Sequence, residues 1–378
     1  MSKKILLLSP VFNPNIGGVE THLNDLVYGL SKRDYEVYVE TFSPITTKAI
    51  QWRRKEKIYG TVNIRRHWWF GTNIFHFVEG YPLLDFLYIS PYLMLIFLRF
   101  LLRHRDVRTV HAHGMNAALV SIIGAKLFKL KVIVSTHAIY ERDKSSLTAL
   151  LVGAILKRAA YVLALSKASK DEVISFGVPE RKVHIYRYWV DTDLFKPTQN
   201  RREMREQYGF EDNFTVLFIG RLIEKKGVSV FVDIAKTLKK INFVIIGNGP
   251  LEGYVRDNDK DIDNLCYLGK KSNEEIANYM NCADLLCIPS QYEEGFGRVV
   301  MEAVACGIPV VGSNKGAIPE AVDINVSMLS NPTLEGISKS IMTLYDHPEV
   351  YERYRSNCRQ YAINNFSSNN ILGIIDYY

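Results

Sequence analysis

The sequence predicts an α/β protein of two doubly wound domains, each a parallel sheet covered by helices on both faces. Three observations predict it. The 378 residues exceed what one hydrophobic core usually organises. Short, continuously apolar runs alternate with helical patterns through both halves, as strands buried on both faces require. The glycines, lysines and carboxylates that stand out follow directly after such runs, where open parallel sheets bind their ligands.

In the first half, residues 4–9, 36–41, 109–113 and 131–136 read as strands, 17–30 as a loop entering a helix, and 117–128 as a helix. In the second half, 215–220, 242–247, 264–268, 285–289 and 309–312 read as strands with helices between them. The alternation breaks at 188–197, and the next helical pattern, 200–208, is charged and reads as a surface helix. The expected division is therefore a first domain at 1–192, a second at 193–355 and a closing segment at 356–378. The strand ends of the two domains are expected to face one another across a cleft.

Charge is uneven along the chain. Residues 1–190 carry 27 Lys plus Arg against 14 Asp plus Glu, net +13, and the remainder carries 20 against 26, net −6. No nucleic-acid-binding motif accompanies the basic half, so nucleic acid is not an expected partner, whereas contact with an anionic membrane surface is. The most apolar segment, 82–105, has a longest uncharged run of thirteen residues, 86–98, which includes Pro91. A membrane span needs roughly twenty, so a core helix is expected, with Arg103 to Arg105 near a membrane as the second reading. Residues 1–10 lack the apolar length of a secretory leader. The five cysteines, an odd number all beyond residue 265, read as reduced thiols inside a cell. The expected location is cytoplasmic, peripheral on the cytoplasmic membrane face.

The richest stretch is 291–311, in which Glu294 and Glu302 flank a glycine-broken turn into a helix. Two glutamates eight apart are ordinarily a solvated face. Here Gly295 and Gly297 permit close backbone approach at Phe296, the helix start offers free amides, and a carboxylate can accept from sugar hydroxyls. The pattern suits a nucleotide-sugar. After the strand at 215–220, Arg221 can fork onto phosphate oxygens and Lys226 can act as a point charge on the same diphosphate. Gly247 opens a third strand-end turn that shapes the site and lacks the Gly-Lys-Ser/Thr of a P-loop. Gly17 and Gly18 follow the first strand and allow close approach of an anion or a sugar. No Gly-x-Gly-x-x-Gly fingerprint is present, which argues against a nicotinamide dehydrogenase.

His137 ends one strand and is the expected reaction-centre histidine, with His111 and His113 on the neighbouring strand in support. Their spacing, without a nearby carboxylate, does not fit a zinc set. No Asp-x-Asp stands at a strand end, since Asp191-Thr192-Asp193 lies in the linker and reads as a turn. No metal and no other cofactor are expected.

Taken together, Glu294-x7-Glu302 in its Gly-Phe-Gly setting, Gly220-Arg221-Leu222 with Lys226-Gly227, Gly17-Gly18-Val19 and the two histidine-bearing strand ends resemble the retaining glycosyltransferases of GT-B fold grouped as family 4. The resemblance covers nearly the whole chain. It implies that Arg221 and Lys226 hold the donor diphosphate and that Glu302 binds the ribose hydroxyls. Glu294 would contact the transferred sugar beside the amides of Phe296 and Gly297, while His137 and the Gly17-Gly18 loop line the sugar and acceptor side. It also implies that the segment from Phe366 crosses back onto the first domain. One departure stands out: Tyr188-Trp189 replaces the usual Asn-Gly ahead of Val190-Asp191, so no ligand contact is carried over to those two residues.

The implied activity is transfer, with retention, of a hexose or N-acetylhexosamine from a UDP- or GDP-sugar to a lipid-linked or glycan acceptor. No residue is an evident glycosyl nucleophile, so a front-face route is expected, in which a donor phosphate oxygen takes the acceptor proton. A nucleotide-sugar epimerase and a non-catalytic nucleotide-sugar-binding scaffold are the alternatives.

Overall fold

The computed structural model describes residues 3–15, 17–47, 51–78, 81–137, 147–210, 213–292 and 297–378. The chain forms two compact units, Met1–Arg187 with Asn370–Tyr378, and Tyr188–Asn369.

Unit 1 is built on strands β1 Lys3–Leu8, β2 Tyr35–Phe42, β3 Lys55–Ile58, β4 Val62–His67, β5 Thr109–His113, β6 Lys131–Ser135, β7 Tyr161–Ala164 and β8 Val183–Ile185. They form one sheet in the order β3-β4-β2-β1-β5-β6-β7-β8. Every pair is parallel except the β3–β4 hairpin. Ile5 to Leu8 are buried because helices cover both faces of β1, so the strand reads as continuously apolar. The helices are α1 Gly18–Ser31, α2 Thr72–Val78, α3 Pro82–Arg103, α4 Met115–Phe128, α5 Leu147–Leu156 and α6 Lys167–Ser175. The hairpin has no counterpart among the strands expected from the sequence. Its edge strand, Lys-Glu-Lys-Ile, is charged, which guards a sheet edge against further pairing and removes the apolar signal.

The expectation that 86–98 is a core helix holds for one face only. α3 runs 22 residues through Pro91, and although Ile89, Leu93, Phe97 and Phe100 are buried, Leu83, Leu87, Leu95 and Leu102 are exposed. By length and composition it could cross a membrane, and only 28 % of its apolar window is buried in the unit.

Unit 2 carries β9 Thr215–Ile219, β10 Asn242–Ile246, β11 Leu265–Tyr267, β12 Leu285–Ile288, β13 Val310–Ser313 and β14 Ser327–Ser330, all parallel, in the order β11-β10-β9-β12-β13-β14. Its helices are α7 Arg201–Gln207, α8 Val228–Thr237, α9 Glu252–Asp261, α10 Asn273–Cys282, α11 Arg298–Ala305, α12 Ile318–Ala321, α13 Leu334–Asp346 and α14 Pro348–Asn365. The charged helix α7 is more than a surface helix. Arg201 donates to Asp284 Oδ1 at 2.6 Å and to Ala283 O at 2.9 Å, and buried Arg205 reaches Cys282 O at 2.6 Å and Asp284 Oδ2 at 3.3 Å. Its arginines satisfy carbonyls at the end of α10 that would otherwise be left unpaired.

The units divide after 187 and 369, where the sequence pattern predicts divisions after 192 and 355. The linker and α14 hold each other within unit 2. Val190 N–H donates to Phe366 O at 3.1 Å, and Arg359 donates to Phe195 O and Thr192 O, each at 2.9 Å. Asp191 Oδ1 accepts from the amides of Asp193 and Leu194, closing the turn in that linker. The closing segment Asn370–Tyr378, which includes the short helix α15 Leu372–Ile375, belongs to unit 1. Buried Ile371 packs there against Gly29, where an added Cβ would stand 2.4 Å from its Cδ1.

Candidate functional site

Unit 2 gathers several strand-end turns. After β9 the chain passes Gly220 and exposed Arg221, buries Leu222 and closes a 3-10 turn at Glu224–Lys226. Gly227 follows with φ 74°, and a Cβ there would lie 2.0 Å from Pro289 O, so glycine alone fits both conditions. The turn after β10 packs against it backbone to backbone. A Cβ on Gly247 would lie 1.9 Å from Gly220 O, and Leu222 N–H donates to Asn248 O at 2.9 Å. Gly247 thus shapes the turn that carries Arg221.

The end of β12 joins the same group. Gln291 N–H donates to Lys225 O at 2.8 Å, and its side-chain amide donates to Pro289 O at 3.0 Å and Pro332 O at 2.5 Å. Tyr292 offers its ring to two lysines, with Lys226 Nζ 5.4 Å and Lys225 Nζ 5.9 Å from the centroid. Tyr292 is absent from the residues that the sequence singles out, because its only signal is an aromatic side chain just past a strand. Glu294, Gly295 and Phe296 lie outside the described residues.

Gly297, with φ 66°, caps the start of α11. One turn along, Arg298 Nε donates to Oε1 of buried Glu302 at 2.9 Å. Sequence reasoning misses Arg298 too, although its spacing of four from Glu302 is that of neighbours on a helix face. A carboxylate compensated in this way can stay buried and still accept hydrogen bonds from hydroxyl groups. Unit 2 therefore presents two cations at a strand end and a held carboxylate on the helix after the next strand, which is chemistry suited to a diphosphate and a diol.

Unit 1 assembles histidines at the ends of β5 and β6. His111 Nε2 bonds Ser135 Oγ and its Nδ1 bonds the Tyr378 hydroxyl, both at 2.8 Å. His113 Nδ1 lies 3.0 Å from His137 Nε2, and the two rings stack. Burial disfavours the imidazolium at all three, holding His111 down at about 3, His137 at about 4, and His113 well below the ordinary value. Neutral histidines can each donate through one ring nitrogen and accept through the other. Buried His22, on α1, comes within 5.8 Å of His137 and 5.7 Å of Tyr186, centroid to centroid. The sequence does not single it out, although it stands one helical turn after Gly18.

The Gly17-Gly18 turn, where the sequence suggests close approach of an anion or a sugar, packs against a protein carboxylate. Buried Glu20 turns its carboxylate back onto the first turn of α1, bonding its own amide and Thr46, and a Cβ on Gly17 would lie 2.5 Å from Oε2. Burial raises the pKa of Glu20. A protein carboxylate thus already occupies the helix start, so the turn favours hydroxyl groups over a second anion. Among the described residues, no group of three or more His, Cys, Asp or Glu is disposed to hold a metal ion.

Comparison with known proteins matches both units. The family model described as Glycosyltransferase Family 4 covers residues 16–194, and that described as Glycosyl transferases group 1 covers 200–361. A human phosphatidylinositol N-acetylglucosaminyltransferase component is 25 % identical over 90 % of this chain and 69 % of its own length. The alpha-D-kanosaminyltransferase of Streptomyces kanamyceticus is 27 % identical over 68 % of this chain and 72 % of its own. Among solved structures, Anabaena HepE in complex with UDP superposes with a TM-score of 0.79 at 22 % identity, covering 99 % of this chain and 98 % of that one. Sucrose-phosphate synthase from Thermosynechococcus elongatus gives 0.81 at 20 % identity, covering 100 % and 98 %. These likenesses establish the GT-B fold.

Proposed function

We propose that this chain, which belongs to the group 1 glycosyltransferases of family 4, transfers a hexose or N-acetylhexosamine with retention from a UDP-sugar to a lipid-linked or glycan acceptor. Glycosyl transfer from a nucleotide-sugar follows from the family. The observation that carries the finer reading is the turn after β9, where glycine-packed backbones hold the segment that bears both Arg221 and Lys226. Cations on a departing diphosphate stabilise the charge that develops as the glycosidic bond opens. UDP is favoured over GDP because HepE was solved with UDP and with UDP-glucose. A lipid-borne acceptor draws support from the human relative, whose name gives phosphatidylinositol as the molecule that receives N-acetylglucosamine. The epimerase and scaffold readings are not favoured by the family match.

In this reading Glu302 receives the ribose hydroxyls, and Glu294 with the amides of Phe296 and Gly297 meets the sugar. Neutral His137 donates to a sugar hydroxyl beside the Gly17-Gly18 turn. A donor phosphate oxygen takes the acceptor proton on the face from which the diphosphate leaves, so no side chain becomes glycosylated. Thermal unfolding in the presence of UDP, GDP, ADP and their sugars tests the donor: a nucleotide at a hundred times its Kd adds about 2.7 kcal/mol of stability. A shift with UDP alone is expected, and no shift with any nucleotide would sink the assignment.

A further inference from the structure

Unit 1 exposes an apolar surface that the donor chemistry does not use. α3, α4 and α5 enclose a groove of about 570 Å³, a volume in the range of small-molecule sites. Leu83, Phe86 and Leu87 of α3, Ile123 of α4 and Leu151 of α5 line it, with Lys126 and Arg158 as its only charged residues among the described residues. Helices apolar on every side are ordinarily buried. α5, Leu-Thr-Ala-Leu-Leu-Val-Gly-Ala-Ile-Leu, is apolar on every side, yet Leu150 is 61 % exposed, as are Leu127 of α4 and Leu87 of α3 at 71 % each. Exposed Phe77 and Tyr81 touch each other just ahead of Leu83, extending the surface with the aromatic residues that membrane interfaces favour.

Charge identifies the occupant. The only acidic side chain on α3, α4 and α5 is Asp85, which accepts from Asn116 Nδ2 at 2.6 Å. Among the described residues, cations therefore border the groove without acidic neighbours in its lining. A second copy of this chain docked symmetrically would set Lys126 and Arg158 against their own like charges. A neutral apolar partner would leave them unmatched.

We propose that this face docks on an anionic phospholipid bilayer, with the exposed leucines in the interface, one hydrocarbon chain in the groove and its headgroup phosphate between Lys126 and Arg158. The arrangement combines apolar insertion with electrostatic attraction, the pair of signals that peripheral attachment requires.

Flotation of the full chain with phosphatidylcholine vesicles, with and without added phosphatidylglycerol, tests the proposal. Unaltered protein should float with the anionic vesicles and release partly as salt rises. Lys126→Gln with Arg158→Gln should weaken anionic binding about 25-fold, about fivefold for each charge removed. Leu87→Glu with Leu150→Glu should abolish binding at every salt concentration while thermal unfolding stays unchanged, since both positions face solvent. Failure of the unaltered chain to float, or flotation of both variants as well as the unaltered chain, would overturn the proposal. So would a stable dimer that the leucine variant dissolves, because the face would then be a protein interface. The inference is separable from the transfer reaction: a chain that binds vesicles but no nucleotide keeps this face and loses the proposed function, and the converse result does the reverse.

Discussion

Lys226 sits in a turn that only glycine can complete, because Gly227 combines φ 74° with a Cβ direction blocked by Pro289 O. The lysine's flexible stem is thereby fixed at its base, and the Tyr292 ring beside Nζ narrows the directions left to its tip. On the proposed assignment, Lys226→Ala should lower kcat/KM for nucleotide-sugar turnover by about 10²–10³, the usual loss for one donor at a developing charge. The melting temperature should stay unchanged, because the ammonium is not part of the core. Unaltered turnover in a nucleotide-release assay would remove Lys226 from the site. Glu302 contrasts with it. Glu302 is buried and paired with Arg298, so truncating it should lower stability together with any binding role it has.

The strand ends of β5 and β6 form an element in their own right, a neutral histidine layer roofed by Tyr378. His111, His113 and His137 have folded-state pKa values below the unfolded 6.5, so the unfolded chain binds more protons as pH falls. Their stabilising contribution is complete above pH 6.5 and is lost progressively as pH drops through about 4 for His137 and toward about 3 for His111. The urea midpoint should therefore fall through that window, as the unfolding free energy drops by as much as about 1.4 kcal/mol per pH unit for each histidine that charges on unfolding. A midpoint flat between pH 7 and 5 would show that the layer is already charged or solvated in the native protein. The cysteines respond in the other sense. Burial pushes Cys282 up to about 11 and Cys306 and Cys358 up to about 12, so these thiols remain protonated and unreactive at neutral pH.

For the whole molecule, the proposed front-face chemistry relies on Arg221, Lys226 and the α11 amides where other glycosyltransferases could use a divalent ion. Transfer should therefore survive an excess of chelator. Loss of activity on chelation, restored by manganese, would show that the diphosphate is held through a metal.

Most of the fold was legible because period and punctuation repeat. Strands buried on both faces must be apolar throughout, so β1, β5, β6, β9, β10, β12 and β13, and with them the strand-end positions of Arg221, Lys226, Gly247 and His137, could be read from the linear pattern. What the tertiary structure decided are relations between distant residues. Arg359 ties the linker to α14, Glu20 turns back onto the helix start beside Gly17, and His22 comes up beside His137. The exposed side of α3 belongs with these, since composition counts its leucines but only packing shows which of them other helices cover. Local pattern encodes which backbone a segment prefers. Which side chains meet depends on contacts between segments far apart in the chain, and no spacing in the sequence specifies them.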